Sequence, residues 1–297
     1  MKKREQRVRA EQAKLAKNRR GRCELAIILS RDVHSQCADW FLGRLEYDRL
    51  QVIDDLHDTL AAGRTLYLDA QDRAAWTLRE DHMLKWLSSP DSALIVINGK
   101  EAQHASDSAV SFFSAMLVML LRNLSRSSLP AIVLRWFCGR NLHSGVCNMT
   151  TSLLGQLLLE SKHPMPIEEY DKDGVRDLED LHAVVTILCA CIKAQLEHSS
   201  VFLIIDSISF YEGRDHRDDL QYFYKKLSRL ANGWKGPQAL KVLVSSPTRS
   251  NYLGTYDDKW KPQTLDVPDV VNGNLHGVDD SRLIERITEE IQLGAEQ

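Results

Sequence analysis

The sequence has no feature that would place it among secreted, membrane-spanning or metal-stapled proteins. Its six cysteines (Cys23, Cys37, Cys138, Cys147, Cys189, Cys191) are too few and too irregular for a disulfide framework in 297 residues, and they read as reduced thiols. Cys138, His143 and Cys147 have the softness of zinc ligands but no fourth partner nearby, and Cys189 and Cys191 point to different faces of a helix. No apolar segment follows the charged N-terminus, so no secretory signal is legible. The longest apolar run, Ala109–Leu121, contains two serines and is shorter than the ~20 residues of a membrane helix. Aromatic residues make up 7% and are scattered, which leaves no stacking platform for single-stranded nucleic acid. There is no G-x-S-x-G elbow and no internal repeat. The chain is expected to be intracellular, cytoplasmic or nuclear, with no membrane span.

What is present begins with a charge asymmetry. Ten of the 38 basic residues but only two of the 41 acidic ones lie in Met1–Arg22, which leaves the rest of the chain near −11. An acidic body argues against nucleic-acid binding by the body itself. The basic tail, residues 1–22, reads as a solvated and partly helical segment, or as one that contacts RNA or another anionic surface. Residues 23–92 read as a helical extension. Leu42, Leu45, Leu50, Ile53, Leu56 and Leu60 recur at helical spacing with Gly63 as a stop, and a second segment spans Asp69–Leu87.

From Ala93 to the end, residues 93–297, short apolar runs alternate with helical patterns. Ala93–Ile97, Pro130–Phe137, Val201–Ile205 and Leu240–Val244 read as strands covered on both faces, with Thr264–Val267 a short fifth. The helices between them are expected at Ser108–Leu124, Thr150–Glu160 with a threonine cap, Leu178–Glu197 and Asp218–Ala231, with a closing one at Asp280–Leu293. This is the pattern of an α/β fold: three layers, a mostly parallel sheet of about five strands, and right-handed crossovers. In such sheets the ligand crevice lies at the carboxyl ends of the strands. Asn98-Gly99, Cys138-Gly139-Arg140, Asp206-Ser207 and Ser245-Ser246-Pro247 should therefore converge.

The strand, glycine turn, polar loop and helix of Ala93–Leu121 follow the construction of a phosphate-binding loop. Laid on G-x-x-x-x-G-K-[ST] from Gly99, the pattern has His104 at the second glycine, Ala105 at the lysine, and only Ser106 in agreement. A lysine there would supply the point charge for the β- and γ-phosphates. A glycine would let backbone amides approach them. Lys100, directly after Gly99, is the nearest substitute.

The series Trp86-Leu87-Ser88, Ile95–Gly99, Trp136–Gly139, Ile204–Glu212 and Ser245–Ser250 resembles the P-loop NTPases of the signal-transducing STAND class, which includes NACHT domains. More narrowly it is similar to the degenerate P-loop domains of filamentous fungal proteins, over about Trp86–Pro268. The resemblance implies that Leu203–Asp206 stands where a Walker B strand would, with Asp206 at the Mg²⁺ position. Its local alternative is a turn cap shared with Ser207 and Ser209. It also implies a sensor-like role for Arg249, against which stands a plain surface arginine. Where a NACHT strand continues D-G-x-D-E, this chain has Ser207, Ser209 and Phe210, with Glu212 the next carboxylate.

Phosphoryl transfer depends on positioned charge, so losing the lysine and the acidic residues together should cost orders of magnitude in rate. The expected protein is therefore a catalytically impaired STAND/NACHT-like module that engages protein partners and binds nucleotide weakly or not at all. One alternative is an active NTPase binding ATP or GTP with Mg²⁺ through Asn98, Gly99, Lys100, Ser106 and Arg249, with Asp206 on the metal and Glu212 as catalytic carboxylate. Another is an RNA- or chromatin-associated adapter working through Met1–Arg22. Oligomeric state is open.

Overall fold

The computed structural model describes residues 41–45, 47–101, 107–127, 130–167, 180–250 and 262–271. The basic tail, the loop 102–106 with Ser106, and the expected closing helix lie outside those residues. After helical residues at 41–44, the described residues form α1 (Arg49–Arg64), α2 (Leu68–Arg79) and α3 (Asp81–Ser88). Then β1 (Ala93–Asn98), α4 (Ala109–Ser127), β2 (Ala131–Phe137), α5 (Gly145–Glu160), α6 (Leu181–Gln195) and β3 (Ser200–Asp206) follow. Two 3₁₀ turns lead into α7 (Arg217–Gly233), β4 (Leu240–Ser246) and β5 (Gln263–Asp266).

The sheet runs β2-β3-β4-β1-β5 with every neighbouring pair parallel. This is the three-layer α/β architecture with a parallel five-stranded sheet anticipated from the alternation of runs. The chain leaves β1, crosses two strand positions to β2, returns through β3 and β4, and reaches β5 on β1's other side. The strand order thus reverses at β1, and the glycine turn follows that strand.

Pleating divides the apolar residues into two cores. Val96, Leu134, Leu203 and Val242 face α5, α6 and α7. Ile95, Val133, Ile204 and Leu243 face the other layer, where Leu56 of α1, Leu78 of α2, Trp86 of α3 and Leu117 of α4 meet them. Each such fully buried side chain contributes about 1.5–3 kcal/mol. The N-terminal helices thus share α4's core and complete one of the three layers. Ala109–Arg126 is long and apolar enough to cross a membrane, but 67% of it is buried within the protein as the central helix of this layer.

Several expected boundaries are corrected. Thr150 is not a cap: α5 already begins at Gly145, and the Thr150 hydroxyl donates to Val146 O at 2.8 Å, one turn back. The earlier start depends on Gly145, whose φ of +69° suits glycine. Gly63 does not stop α1, which runs to Arg64 with Thr65 as its C-cap. The single segment Asp69–Leu87 divides at Glu80, whose extended backbone ends α2 and whose carboxylate caps α3. The helix expected from Leu178 begins at Leu181 because Asp180 accepts from His182 N.

One core residue is a cation. Lys241 is 2% exposed, and its Nζ has no hydrogen-bond partner among the described residues, lying 6.0 Å from the centre of the Trp86 ring. Burial pulls its pKa down to about 8, with Asp91 acting in the opposite direction. The unfolded chain therefore holds this proton more tightly than the folded one, and the penalty is present below about pH 8 and relieved as pH rises toward the ordinary lysine value. Lys241→Met should be more stable than the parent at neutral pH by on the order of 2–3 kcal/mol. Its advantage in chemical denaturation should shrink as the solution becomes alkaline. A parent that is the more stable at neutral pH would contradict this assignment.

Candidate functional site

The strand ends do converge. Beyond β1 and β4, Gly99 N donates to Ser246 O at 2.7 Å and Glu101 N to Pro247 O at 2.8 Å. Across β2 and β3, Cys138 N donates to Asp206 O at 3.0 Å. Gly99 is required by this closeness, since a Cβ there would lie 2.5 Å from Pro247 O and 2.7 Å from Val110 Cγ2. The same hydrogen bonds have a chemical consequence. The amides of Gly99 and Glu101 serve the sheet and are not free for phosphate.

At the amino end of α4, Ser108 acts as the N-cap: its Oγ accepts from Ser111 N at 3.0 Å. The Ala109 amide points elsewhere. It donates to the Glu101 carboxylate at 3.1 Å, and the same oxygen receives Arg73 Nη1 at 3.0 Å. Arg73 is itself fixed by donating from Nε to Pro268 O at 2.9 Å. The Glu101 and Arg73 side chains are only 14% and 11% exposed. Burial raises the Glu101 pKa, while Arg73 and the Ala109 amide act against that rise. A helix amino end with its amides and dipole is where a P-loop receives phosphate. Here an internal carboxylate stands on it, clamped by an arginine.

Directly behind lies a cluster of hydroxyls around one buried acid. Asp206 is 2% exposed. Ser245 Oγ donates to its Oδ1 at 2.6 Å and Ser207 Oγ to its Oδ2 at 2.8 Å. Ser111 Oγ lies 2.8 Å from Ser207 Oγ, Ser108 Oγ donates to Ser111 Oγ at 3.0 Å, and Ser114 Oγ is 3.1 Å from Ser245 Oγ. Ser207 is held at φ 58°, the left-handed region, with its amide donating to Ser245 Oγ at 3.2 Å. Burial pushes the Asp206 carboxyl above its ordinary pKa, against the bonds from Ser245 and Ser207.

The residues do not fit a magnesium ion as they stand. Mg²⁺ asks for six oxygens in near-octahedral array, several of them water. Both oxygens of Asp206 are occupied by hydroxyls, and the carboxylate is closed off from solvent. Among the described residues no group of three or more His, Cys, Asp or Glu side chains is arranged to hold a metal, and that includes the Cys138–His143–Cys147 spacing.

The other anticipated site residues have different roles in the structure. Asn98 is a staple: its Nδ2 donates to Asp266 Oδ1 at 2.9 Å, and its Oδ1 accepts from Ser250 N at 3.1 Å. Lys100 faces Asp269 at 3.4 Å on the surface. Glu212 is buried and accepts from Ser250 Oγ. Arg249 is exposed. The serine that the fold places in α4's first turn, linked to Asp206, is Ser111, with Val110 before it where a P-loop has lysine.

Two elements of the site escaped the sequence reading. Glu101 and Arg73 lie 28 residues apart, and only the carboxylate inside a would-be phosphate loop gave a hint. The spacing of Ser108, Ser111 and Ser114, three apart on an apolar helix, was a legible polar stripe.

No family model matches the chain, and no curated protein matches it. Among solved structures it is similar to the Aeropyrum pernix ORC2 protein in its ADPNP–ADP complexes, with 14% identity and a TM-score of 0.35. The match covers 75% of this chain and 50% of that one, so the chain spans about half the length of that structure. At this level the likeness carries no functional inference.

A group whose folded pKa is raised favours the folded state below its unfolded pKa, and that contribution is lost as pH rises through the folded value. Asp206 and Glu101 both have this sign. Asp206→Asn should therefore gain stability relative to the parent between acid and neutral pH, as read by denaturant unfolding at each pH. A difference that stays constant over that interval would show an unshifted carboxyl, and one that moves toward the parent would show that the hydroxyls hold Asp206 as a low-pKa carboxylate; either result contradicts the raised direction.

Proposed function

We propose that the chain is a catalytically impaired P-loop-like module of the STAND/NACHT kind, built to contact other proteins, with weak or no nucleotide binding. The observation that carries this reading is the Glu101 carboxylate, 3.1 Å from Ala109 N and 3.0 Å from Arg73 Nη1, on the helix end where phosphate binds in a working P-loop. A triphosphate approaching that helix meets a buried negative charge. It must displace an ion pair whose separated charges are costly inside a protein.

Three further features support the reading. Val110 precedes Ser111 in place of a lysine, so no ammonium is supplied from the start of α4. Asp206 is fully engaged with serines and gives no opening for a metal-bound water. Glu212 is tied to Ser250. What remains is a rigid α/β platform, and the resemblance to STAND domains is what points to protein partners. The role of the basic segment Met1–Arg22 in contacting RNA or another anionic surface is an addition that a salt-dependence measurement would test.

The reading is tested by calorimetric titration of ATP with Mg²⁺ into the parent protein and Glu101→Ala. The parent should show no binding at roughly 1 mM ATP. Glu101→Ala, which exposes the Ala109 amide and frees Arg73, should gain weak affinity without turnover. Micromolar binding by the parent, weakened by Asp206→Ala and accompanied by hydrolysis above background, would overturn the proposal.

A further inference from the structure

At the outer edge of the sheet, away from the glycine loop, β2 has no strand partner on one side among the described residues. The chain closes that edge with side chains from the last turns of α5. Gln156 Oε1 accepts from Arg135 N at 3.0 Å while its Nε2 donates to Arg135 O at 2.9 Å, reproducing the pairing of a missing strand. One turn later the Glu160 carboxylate accepts from the Val133 amide. The edge is satisfied, and the Arg135 side chain is thereby committed to the interior.

Arg135 is 3% exposed, yet its Nε has no hydrogen-bond partner among the described residues. It lines a cavity of about 100 Å³ together with Tyr47, Arg49, Arg122, Gln156 and Glu160. Arg49 and Glu160 are exposed at its rim, Arg122 is half-buried, and Arg135 and Gln156 are buried deepest. Three guanidinium groups against one carboxylate give the cavity's own lining a charge near +2, while the Asp55 carboxylate also acts on Arg135 and that of Asp48 on Tyr47 from outside the lining. A buried guanidinium N–H without an acceptor is costly, and burial together with the Arg122 charge lowers the Arg135 pKa to about 10. Each arginine offers a planar fork that matches a carboxylate or phosphate edge. The volume suits one tetrahedral oxyanion and is well below the roughly 300–1,000 Å³ of a nucleotide-sized pocket.

We propose that this arginine cavity is a phosphate site, binding inorganic phosphate or the phosphoryl group of a small phosphate monoester through Arg135, Arg122 and Arg49. The charge of a phosphate dianion matches that of the cavity, and Arg135 Nε is the donor that lacks an acceptor. Tyr47 also lines a neighbouring cavity of about 260 Å³ whose other walls include Asn141, Ser144, Asn148 and Thr151, so a polar ester group has a place to continue. The site is independent of the nucleotide question, because it lies at the β2 edge and uses none of the residues around Glu101 and Asp206.

The test uses the full chain, with inorganic phosphate and O-phosphoserine as probes against chloride at equal ionic strength. Binding is read by calorimetry and by the Arg135 Nε–H resonance. Phosphate should bind the parent and move that resonance. Arg122→Gln should weaken it about tenfold or more, and Arg135→Gln should abolish it. Arg229→Gln, on α7, should leave it unchanged. Tighter binding of O-phosphoserine assigns the monoester as the natural class, and equal binding assigns free phosphate. Should Arg135→Gln fail to fold, the Arg122→Gln titration decides alone. No binding to the parent at tens of millimolar phosphate, or equal binding by parent and Arg122→Gln, would overturn the site.

Discussion

The contact on which this molecule turns is a single carboxylate oxygen of Glu101, shared between the first amide of α4 and the guanidinium of Arg73. It joins the loop after β1 to the central helix and, through Arg73 and Pro268, to the segment after β5. A helix end left without an anion carries unsatisfied amides and an uncompensated dipole. Proteins that bind phosphate there leave the position to their ligand. This chain fills it from within and so acquires a permanent cap.

The serine cluster follows from the same replacement. In a working site, metal and phosphate would bring strong charges to Asp206 and to the start of α4. On the proposed reading neither is required, and the acid still sits at a strand end under a packed helix, where an unbonded carboxylate is expensive. Ser207 and Ser245 supply the donors, and Ser111, Ser108 and Ser114 extend the network into α4. The hydroxyls tie β3, β4 and α4 together at the point where a catalytic domain would keep them apart for its ligand. The left-handed backbone of Ser207 belongs to this arrangement, because its amide and hydroxyl both turn back into the cluster.

Much of this architecture was legible in the sequence. Buried parallel strands announce themselves as uninterrupted apolar runs, and Val201–Ile205 and Leu240–Val244 needed no tertiary information. The turn at Gly99 was equally clear, and its reason is steric. The phosphate-loop register was not legible, because a motif laid from Gly99 assumes a loop of fixed length. The helix begins at Ala109, where Ser111 is linked through Ser207 to Asp206, and Ser106 lies outside the described residues. Nor was the Glu101–Arg73 pair legible, since a contact between α2 and the loop after β1 leaves no local pattern. Thr150 misled for a local reason: threonine caps helices well, but Gly145 offered an earlier start.

If the protein itself occupies the phosphate position, the most direct measurement is a crystal structure of the parent chain grown in saturating ATP and Mg²⁺. The Glu101 carboxylate should still lie within hydrogen-bonding distance of Ala109 N and Arg73, with no phosphate on the amino end of α4. Density for a phosphate at Ala109 N, with Glu101 swung out and a cation beside Asp206, would contradict it.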